Sequence, residues 1–195
     1  SSKNSISLFK DTSCNDLLEY KDLNITYQLP YIPEDAKNRP LDKETVIRQI
    51  AKENGEPVLR DESFELLLQN IKEKRPNSIL EIGVNVGLSG IAMLLTSENS
   101  HLTGIEIDEE KIKIARENYE KFGVSDRAKI FYGDAGEIIP ILTGTYDFIF
   151  LDGPKGHYYE YLPNLLCSLN KGGILFADNV LFRGYVGGRV KTPHR

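Results

Sequence analysis

The sequence is poor in several features that would fix a function class at sight. It has only two cysteines, Cys14 and Cys167, in 195 residues. They lie far apart and form no CxxC pair, so neither a disulfide framework nor a structural zinc site is expected. That usage suits a reducing compartment. Cys167 stands in "LPNLLCSL", an apolar helical stretch, and reads as core rather than as a ligand. No apolar run is long enough to span a membrane. The opening "SSKNSISLFK" is too polar for a secretory signal, and the expected location is the cytoplasm. There is no internal repeat and no low-complexity tract. Positive charge is not in excess either: the formal net charge is −5. A global basic signature for nucleic acid is therefore missing, which leaves only local patches. The GxGxxG fingerprint is absent, which disfavours a nicotinamide oxidoreductase. What remains is an ordinary globular composition, 40% hydrophobic and 27% charged, with length for one domain and a full core.

The chain divides into three stretches. Residues 1–40 are weakly patterned. "SISLF" and "NITYQLPY" read as short strands or extended arms, and "LPYIPEDAKNRP", with its prolines, as a linker. Residues 41–75 carry two helical signals expected to pack on the core. "DKETVIRQIAKENG" runs from an Asp cap to Gly55. "DESFELLLQNIKEK" has an acidic start, a basic end and a stop before Pro76. Residues 76–195 alternate. "SILEIG", "HLTGIEID", "AKIFYGD", "YDFIFLD" and "GILFADN" read as strands. "GLSGIAMLLTSE", "DEEKIKIARENYEKFG", "AGEIIPIL" and "GHYYEYLPNLLCSLNKGG" read as the helices between them, the last with a Gly-Gly stop. This rhythm predicts an α/β fold, a doubly wound, mostly parallel sheet with helices on both faces. Such sheets often have six or seven strands, so further strands are expected to be missing or to come from elsewhere.

Acids gather where such sheets bind ligands, at the carboxyl ends of the strands. "LEIGVNVGLSG" follows the first core strand, and Gly83, Gly87 and Gly90 allow tight turning and close approach of a ligand. Glu81 lies inside the apolar strand, where a carboxylate is costly without a partner. Glu106 ends the second strand and is placed to accept both hydroxyls of a ribose. Asp134 ends the third. Each alone is an ordinary turn former or cap. Together they suggest a ligand with a ribose and a positive group instead of a pyrophosphate, and S-adenosylmethionine fits that description.

The fourth strand ends on Asp152 and the fifth on Asp178 and Asn179. Two carboxylates and an amide oxygen make a hard oxygen set of the kind that holds Mg²⁺. A divalent cation on a phenolic or enolic oxygen stabilises the oxyanion, and a lysine beside it becomes a proton acceptor. Lys155 is the candidate; alone it would read as a solvated loop lysine. Tyr158, Tyr159 and Tyr161 suit either an aromatic rim or helix packing. Arg183, Arg189, Lys191 and Arg195 in the tail, with Lys72, Lys74 and Arg75, suit either phosphate contact or an ordinary solvated surface.

"ILEIG", "GIEID", "YGDA", "FLDGPKGHY" and "ADNVLFRG", in this order, resemble the cation-dependent, S-adenosylmethionine-dependent O-methyltransferases, which include the catechol and caffeoyl-CoA enzymes. The resemblance covers roughly residues 45–190 and implies a Rossmann-like class I methyltransferase fold. It places metal ligands at Asp152, Asp178 and Asn179 and the catalytic lysine at Lys155, with Asp152 taking part in catalysis. Cofactor contacts fall on Glu81, Gly83, Ser89, Glu106, Asp134, Ala135 and Asp152. Val84, Leu88, Gly153, Pro154 and His157 depart from the family's common residues. The family usually continues into two more strands, and residues 1–40 lack a clear counterpart in it. "KENGEPVLRDESFELLLQ" and "DNVLFRGYV" resemble most the bacterial branch that converts 5-hydroxyuridine in tRNA to 5-methoxyuridine. That likeness implies a tRNA anticodon loop as partner and a homodimer. The alternatives are a small-molecule catechol or phenol O-methyltransferase and a non-catalytic module that binds S-adenosylmethionine.

Overall fold

The computed structural model describes residues 5–9, 24–26, 61–152 and 157–178. The expected helix at "DKETVIRQIAKENG" lies outside them. Strands β1 (Ser5–Phe9) and β2 (Asn24–Thr26) come first, followed by helix α1 (Asp61–Lys74). The alternating part is β3 (Ser78–Ile82), α2 (Leu88–Thr96), β4 (His101–Glu106), α3 (Glu109–Lys121) and β5 (Ala128–Tyr132). It continues with α4 (Ala135–Ile138), β6 (Tyr146–Leu151), α5 (Tyr158–Ser168) and β7 (Leu169–Asp178).

Local sequence explains most of these limits. Phe64, Leu67 and Ile71 fall on one buried face of α1. That helix ends where Arg75 turns left-handed ahead of Pro76. Asp108 caps α3 by accepting from the N–H groups of Glu110 and Lys111, and Gly123 follows the helix at φ 68°. One limit differs from expectation. Helix α5 stops at Ser168, not at the glycine pair, and residues 169–172 already belong to β7. Leu169 is buried in the core, and the Asn170 amide donates to Asp147 Oδ1 at 2.9 Å. These contacts draw the segment into the sheet across a register shift near Tyr146.

The sheet order is β2-β1-β7-β6-β3-β4-β5. The five strands β5, β4, β3, β6 and β7 are parallel throughout. Side chains alternate strictly. Ile79, Phe148, Phe150, Ile174 and Phe176 pack towards α1, α2 and α3. Leu80, Ile82, Ile149, Leu151, Leu175 and Ala177 pack towards α4 and α5. After β3 the chain winds towards β5, then crosses back to β6, so β3 and β6 flank the switch point where open α/β sheets bind ligands. The edge of β7 is not bare: β1 pairs with it antiparallel, from Ser5 opposite Asp178 to Phe9 opposite Ile174, and β2 pairs with β1. Residues read from the sequence as strands or arms are thus sheet strands, and they satisfy an otherwise open edge.

Two readings need correction or limit. Cys167 is exposed and disulfide-bonded, not a core thiol. The buried stripe of α5 runs through Tyr161, Leu165 and Leu166, and position 167 falls off it. Cys14 lies outside the described residues. The bonded sulfur removes the argument from cysteine usage for a reducing compartment. Among the described residues no helix is long and apolar enough to cross a membrane.

At the amino edge of the sheet, Asp147 joins three segments. Its Oδ2 accepts from the N–H groups of Asn77 at 3.0 Å and Ser78 at 3.3 Å, while Oδ1 takes the Asn170 amide. Burial alone would raise its pKa. The Asn170 bond, the two backbone donors and the charge of Lys74 outweigh it and hold the carboxyl below its ordinary value. A depressed folded pKa stabilises the fold above the unfolded value, and the gain is lost as pH falls through the folded one. Asp147→Asn should therefore cost about 0.5–1.5 kcal/mol at neutral pH, since solvent screens this partly exposed carboxyl. The gap to the parent protein should close on acidification through that lowered pKa. Urea unfolding at several pH values tests it, and a gap independent of pH would refute it.

Candidate active site

At the carboxyl edge, a cavity of about 310 Å³ opens beside the switch point. Glu106, Asp134 and Asp152 stand in its wall, together with Gly83 and Ala135. These are five of the residues expected there from the sequence. Glu106 is fixed by its own backbone surroundings. Its Oε1 accepts from Ile107 N–H at 2.9 Å and Asp108 N–H at 3.0 Å. Its Oε2 accepts from Asn85 N–H at 2.7 Å. The last bond requires the turn after β3: Asn85 sits left-handed at φ 53°, a conformation asparagine tolerates, and so aims its N–H at β4. Gly83 N–H donates to Ile105 carbonyl at 3.0 Å, which ties the turn to β4 a second time. Three of the roughly four acceptor sites are thus taken, and Oε2 keeps one.

Asp134 caps α4: its Oδ1 accepts from Gly136 N–H at 2.7 Å. The N–H of Asp152 donates to Ile82 carbonyl at 2.9 Å, extending the β6 pairing by one residue. Leu151 is in register with Ala177, so Asp152 and Asp178 follow one another's strand ends on neighbouring strands. Adjacent strands lie roughly 4.8 Å apart. Burial, then the charges of Asp152 and Asp178, push the pKa of the Tyr158 phenol up. The Tyr158 hydroxyl donates to Leu151 carbonyl at 3.3 Å. Asp178 is 2% exposed and does not line the cavity. Asn179 and Lys155 lie outside the described residues. Among the described residues no three His, Cys, Asp or Glu side chains cluster as a metal site. Asp152 and Asp178 are two hard oxygen donors at neighbouring strand ends, fewer than the three that would mark a site.

Two expected contacts stand elsewhere. Ser89, second in α2, is half-buried and outside the cavity wall. Glu81 is wholly buried, also off the wall, and among the described residues neither carboxyl oxygen has a hydrogen-bond partner. Burial first, then the charges of Asp152 and Glu106, raise its pKa well above the ordinary carboxylate range. Wall residues that no motif singled out are Asn85, Ile107 and Lys111. Ile107 is 62% exposed. An apolar side chain left open beside an acid was the available signal. Tyr161 serves both alternatives read from the sequence, since it is buried and also lines the cavity. His157 pairs with Glu160 at 3.0 Å on the surface and is not part of the cavity wall.

A family model described as O-methyltransferase matches residues 31–193. The chain belongs to the O-methyltransferase family. It is 34% identical over 125 residues to the catechol O-methyltransferase of Sus scrofa, covering 58% of this chain and 66% of that protein. It is 28% identical over 156 residues to a Saccharolobus solfataricus protein named "Probable cobalt-precorrin-6B C(15)-methyltransferase (decarboxylating)", covering 80% of this chain and 72% of that one. The SAH-bound methyltransferase of Podospora anserina superposes with a TM-score of 0.68 at 27% identity, over 82% of this chain and 75% of that one. The chain spans 55% to 72% of the length of the curated relatives it matches. Both the O-methyltransferase family model and a relative named for C(15) methylation match this chain in sequence. Acceptor chemistry must then be sought in this chain's own strand ends.

Glu106→Gln should loosen the turn. One amide oxygen cannot replace two carboxylate oxygens taking three N–H donors, and one donor would face an NH₂ group. The expected cost is about 1–3 kcal/mol, read by chemical denaturation. Stability within about 0.5 kcal/mol of the parent, the range of an ordinary surface change, would show that the three-donor clamp does not hold the turn.

Proposed function

We propose that the chain is a divalent-cation-assisted, S-adenosylmethionine-dependent O-methyltransferase acting on a hydroxyl with a second oxygen beside it. The observation that carries this reading is the Asp152–Asp178 pair at neighbouring strand ends, one member of which stands in the wall of an acid-lined cavity. The family membership supports it. Bound S-adenosylmethionine supplies a methyl group on a positively charged sulfur, and a bound divalent cation supplies charge that stabilises an acceptor oxyanion. The remaining work falls to the chain. Glu106 accepts a ribose hydroxyl at the Oε2 site its backbone bonds leave. Ile107 and Ala135 give apolar surface to the base, and Asp134 offers the oxygen not engaged with Gly136. Asp152, Asp178 and Asn179 would hold the cation. Lys155 takes the proton from the acceptor hydroxyl, which leaves the oxygen able to attack in line.

Two acceptors present adjacent oxygens. A catechol does so directly, and the likeness to a catechol O-methyltransferase supports it. The 5-hydroxyuridine of a tRNA does so through its 5-hydroxyl and O4. Residues 52–69 and 178–186 carry the sequence likeness that favours this second reading, and an anticodon loop presents such a base unpaired. A cytoplasmic homodimer accompanies either.

Labelled S-adenosylmethionine, offered with a catechol and separately with tRNA bearing 5-hydroxyuridine, decides between them. Incorporation should be lost with excess chelator. Asp152→Asn and Lys155→Ala should each lower the rate by about 100-fold or more. Incorporation indifferent to both chelator and Asp152→Asn would sink the cation-assisted reading.

A further inference from the structure

Cys167 stands exposed in the last turn of α5 and is disulfide-bonded. The chain has one other cysteine, Cys14. Strand and helix directions lead both towards one edge of the sheet. β1 runs antiparallel to β7, from Ser5 opposite Asp178 at the carboxyl edge to Phe9 opposite Ile174. The chain therefore leaves β1 heading for the amino edge. α5 runs the same way, from Tyr158, whose hydroxyl donates to Leu151 carbonyl, to Ser168, where β7 begins. Cys167 is thus at the amino edge. Cys14 follows Phe9 by five residues, a reach of roughly 17 Å when extended.

The other end of β1 lies at the candidate site. All five residues of β1 pair with the last five of β7, and the final pair is Ser5 with Asp178. β7 has β6 on one side and β1 on the other. Without β1, the flank of Asp178 would be an open strand edge. Asp178 is 2% exposed, and a buried carboxylate keeps its place only while its strand does not fray. β1 and α5 therefore border the strand ends that carry Asp178 and Asp152.

We propose that Cys167 is bonded to Cys14 and that this bond is a redox latch on the β1–β2 strand pair. Closed, it ties the pair to α5 and keeps β1 on β7. It closes a loop over most of the chain, which removes much freedom from the opened state. Exposed disulfides are the readily reduced ones. A dithiol reductant opens the latch by exchange. One of its thiolates attacks a sulfur of the bond and breaks it, and its second thiol then displaces the remaining cysteine. Two electrons and two protons pass to Cys14 and Cys167, which become thiols, while the reductant becomes a cyclic disulfide. β1 then stays on β7 only by its own pairing and packing, and the Asp178 end of β7 frays. Only the consequence for methyl transfer rests on the proposed function.

The test is peptide mapping of the non-reduced full chain, followed by amide hydrogen exchange with and without dithiothreitol. Mapping should return one cross-linked peptide pair holding Cys14 and Cys167. Reduction should speed exchange in β1 and at residues 174–178 about tenfold or more, and leave β3 and β4 within about twofold. Cys14→Ser without reductant should match the reduced parent, and reoxidation of the parent should restore slow exchange. Free thiols, or a bond between two copies of the chain, would overturn the proposal. Exchange at residues 174–178 indifferent to reduction would overturn it as well. So would equal acceleration in β3 and β4, which would make the bond a general staple. Calorimetry with S-adenosylhomocysteine separates the two readings. A chain that fails to bind it loses the cofactor reading, while the latch stands or falls on mapping and exchange.

Discussion

Parallel pairing in one register brings the acids of this chain to a common edge. Ile82 lies beside both Ile105 and Leu151, and Leu151 beside Ala177. The next residues on those strands are Gly83, Glu106, Asp152 and Asp178. A slip of one residue in β6 would turn Phe148 and Phe150 from one helical layer to the other and carry Asp152 away from Ile82 carbonyl. That slip is opposed by burial on both faces. Phe176 stacks near Phe148 at 6.3 Å and meets Phe150 at 5.9 Å. Core packing therefore sets the spacing of the site, because the same strands serve both.

The turn after β3 depends on that frame from two sides. In front, Asn85 and Gly83 reach β4 through Glu106 and Ile105. Behind, Asn118 and Tyr119 close on it from α3. A turn gripped on both faces is largely pre-formed before any ligand arrives, so less ordering is left for binding to do. Small residues in the turn are the means. A side chain at Gly87 would crowd Tyr119 and Ala115, and one at Gly90 would crowd Glu81, Tyr119 and Leu102.

Much of this was legible in the sequence, for reasons that can be named. The period-two and helical patterns placed all five parallel strands, because β3, β6 and β7 are buried on both faces and carry little else. The meeting of Glu106, Asp134 and Asp152 in one cavity wall was readable because each stands at or just past a strand end, where direction matters less than position. Glu81 was not readable in the same way. An acid inside a strand can point to either helical layer, and only the packed structure sends it towards Tyr119. The purpose of Gly87 and Gly90 was hidden likewise, since glycine marks missing volume without saying which neighbour fills it. Residue 169 joined β7 instead of α5 because Asp147 and Asn170, far apart in sequence, meet across the sheet. The exposed, bonded Cys167 broke an inference drawn from composition.

The charges of the cavity bear on the acceptor. Its wall holds three carboxylates, Glu106, Asp134 and Asp152, against one lysine, Lys111. Such a wall favours a ligand bearing positive charge and disfavours phosphate close by. A cationic sulfonium cofactor suits it; a polyanionic acceptor does not suit it unaided. If tRNA is the acceptor, attraction for its backbone must come from surface outside the wall, and the chain's net charge of −5 gives no general help. A neutral catechol needs no such surface. Salt dependence follows from the same contrast: methylation of tRNA must weaken steeply as salt rises, while methylation of a neutral catechol need not.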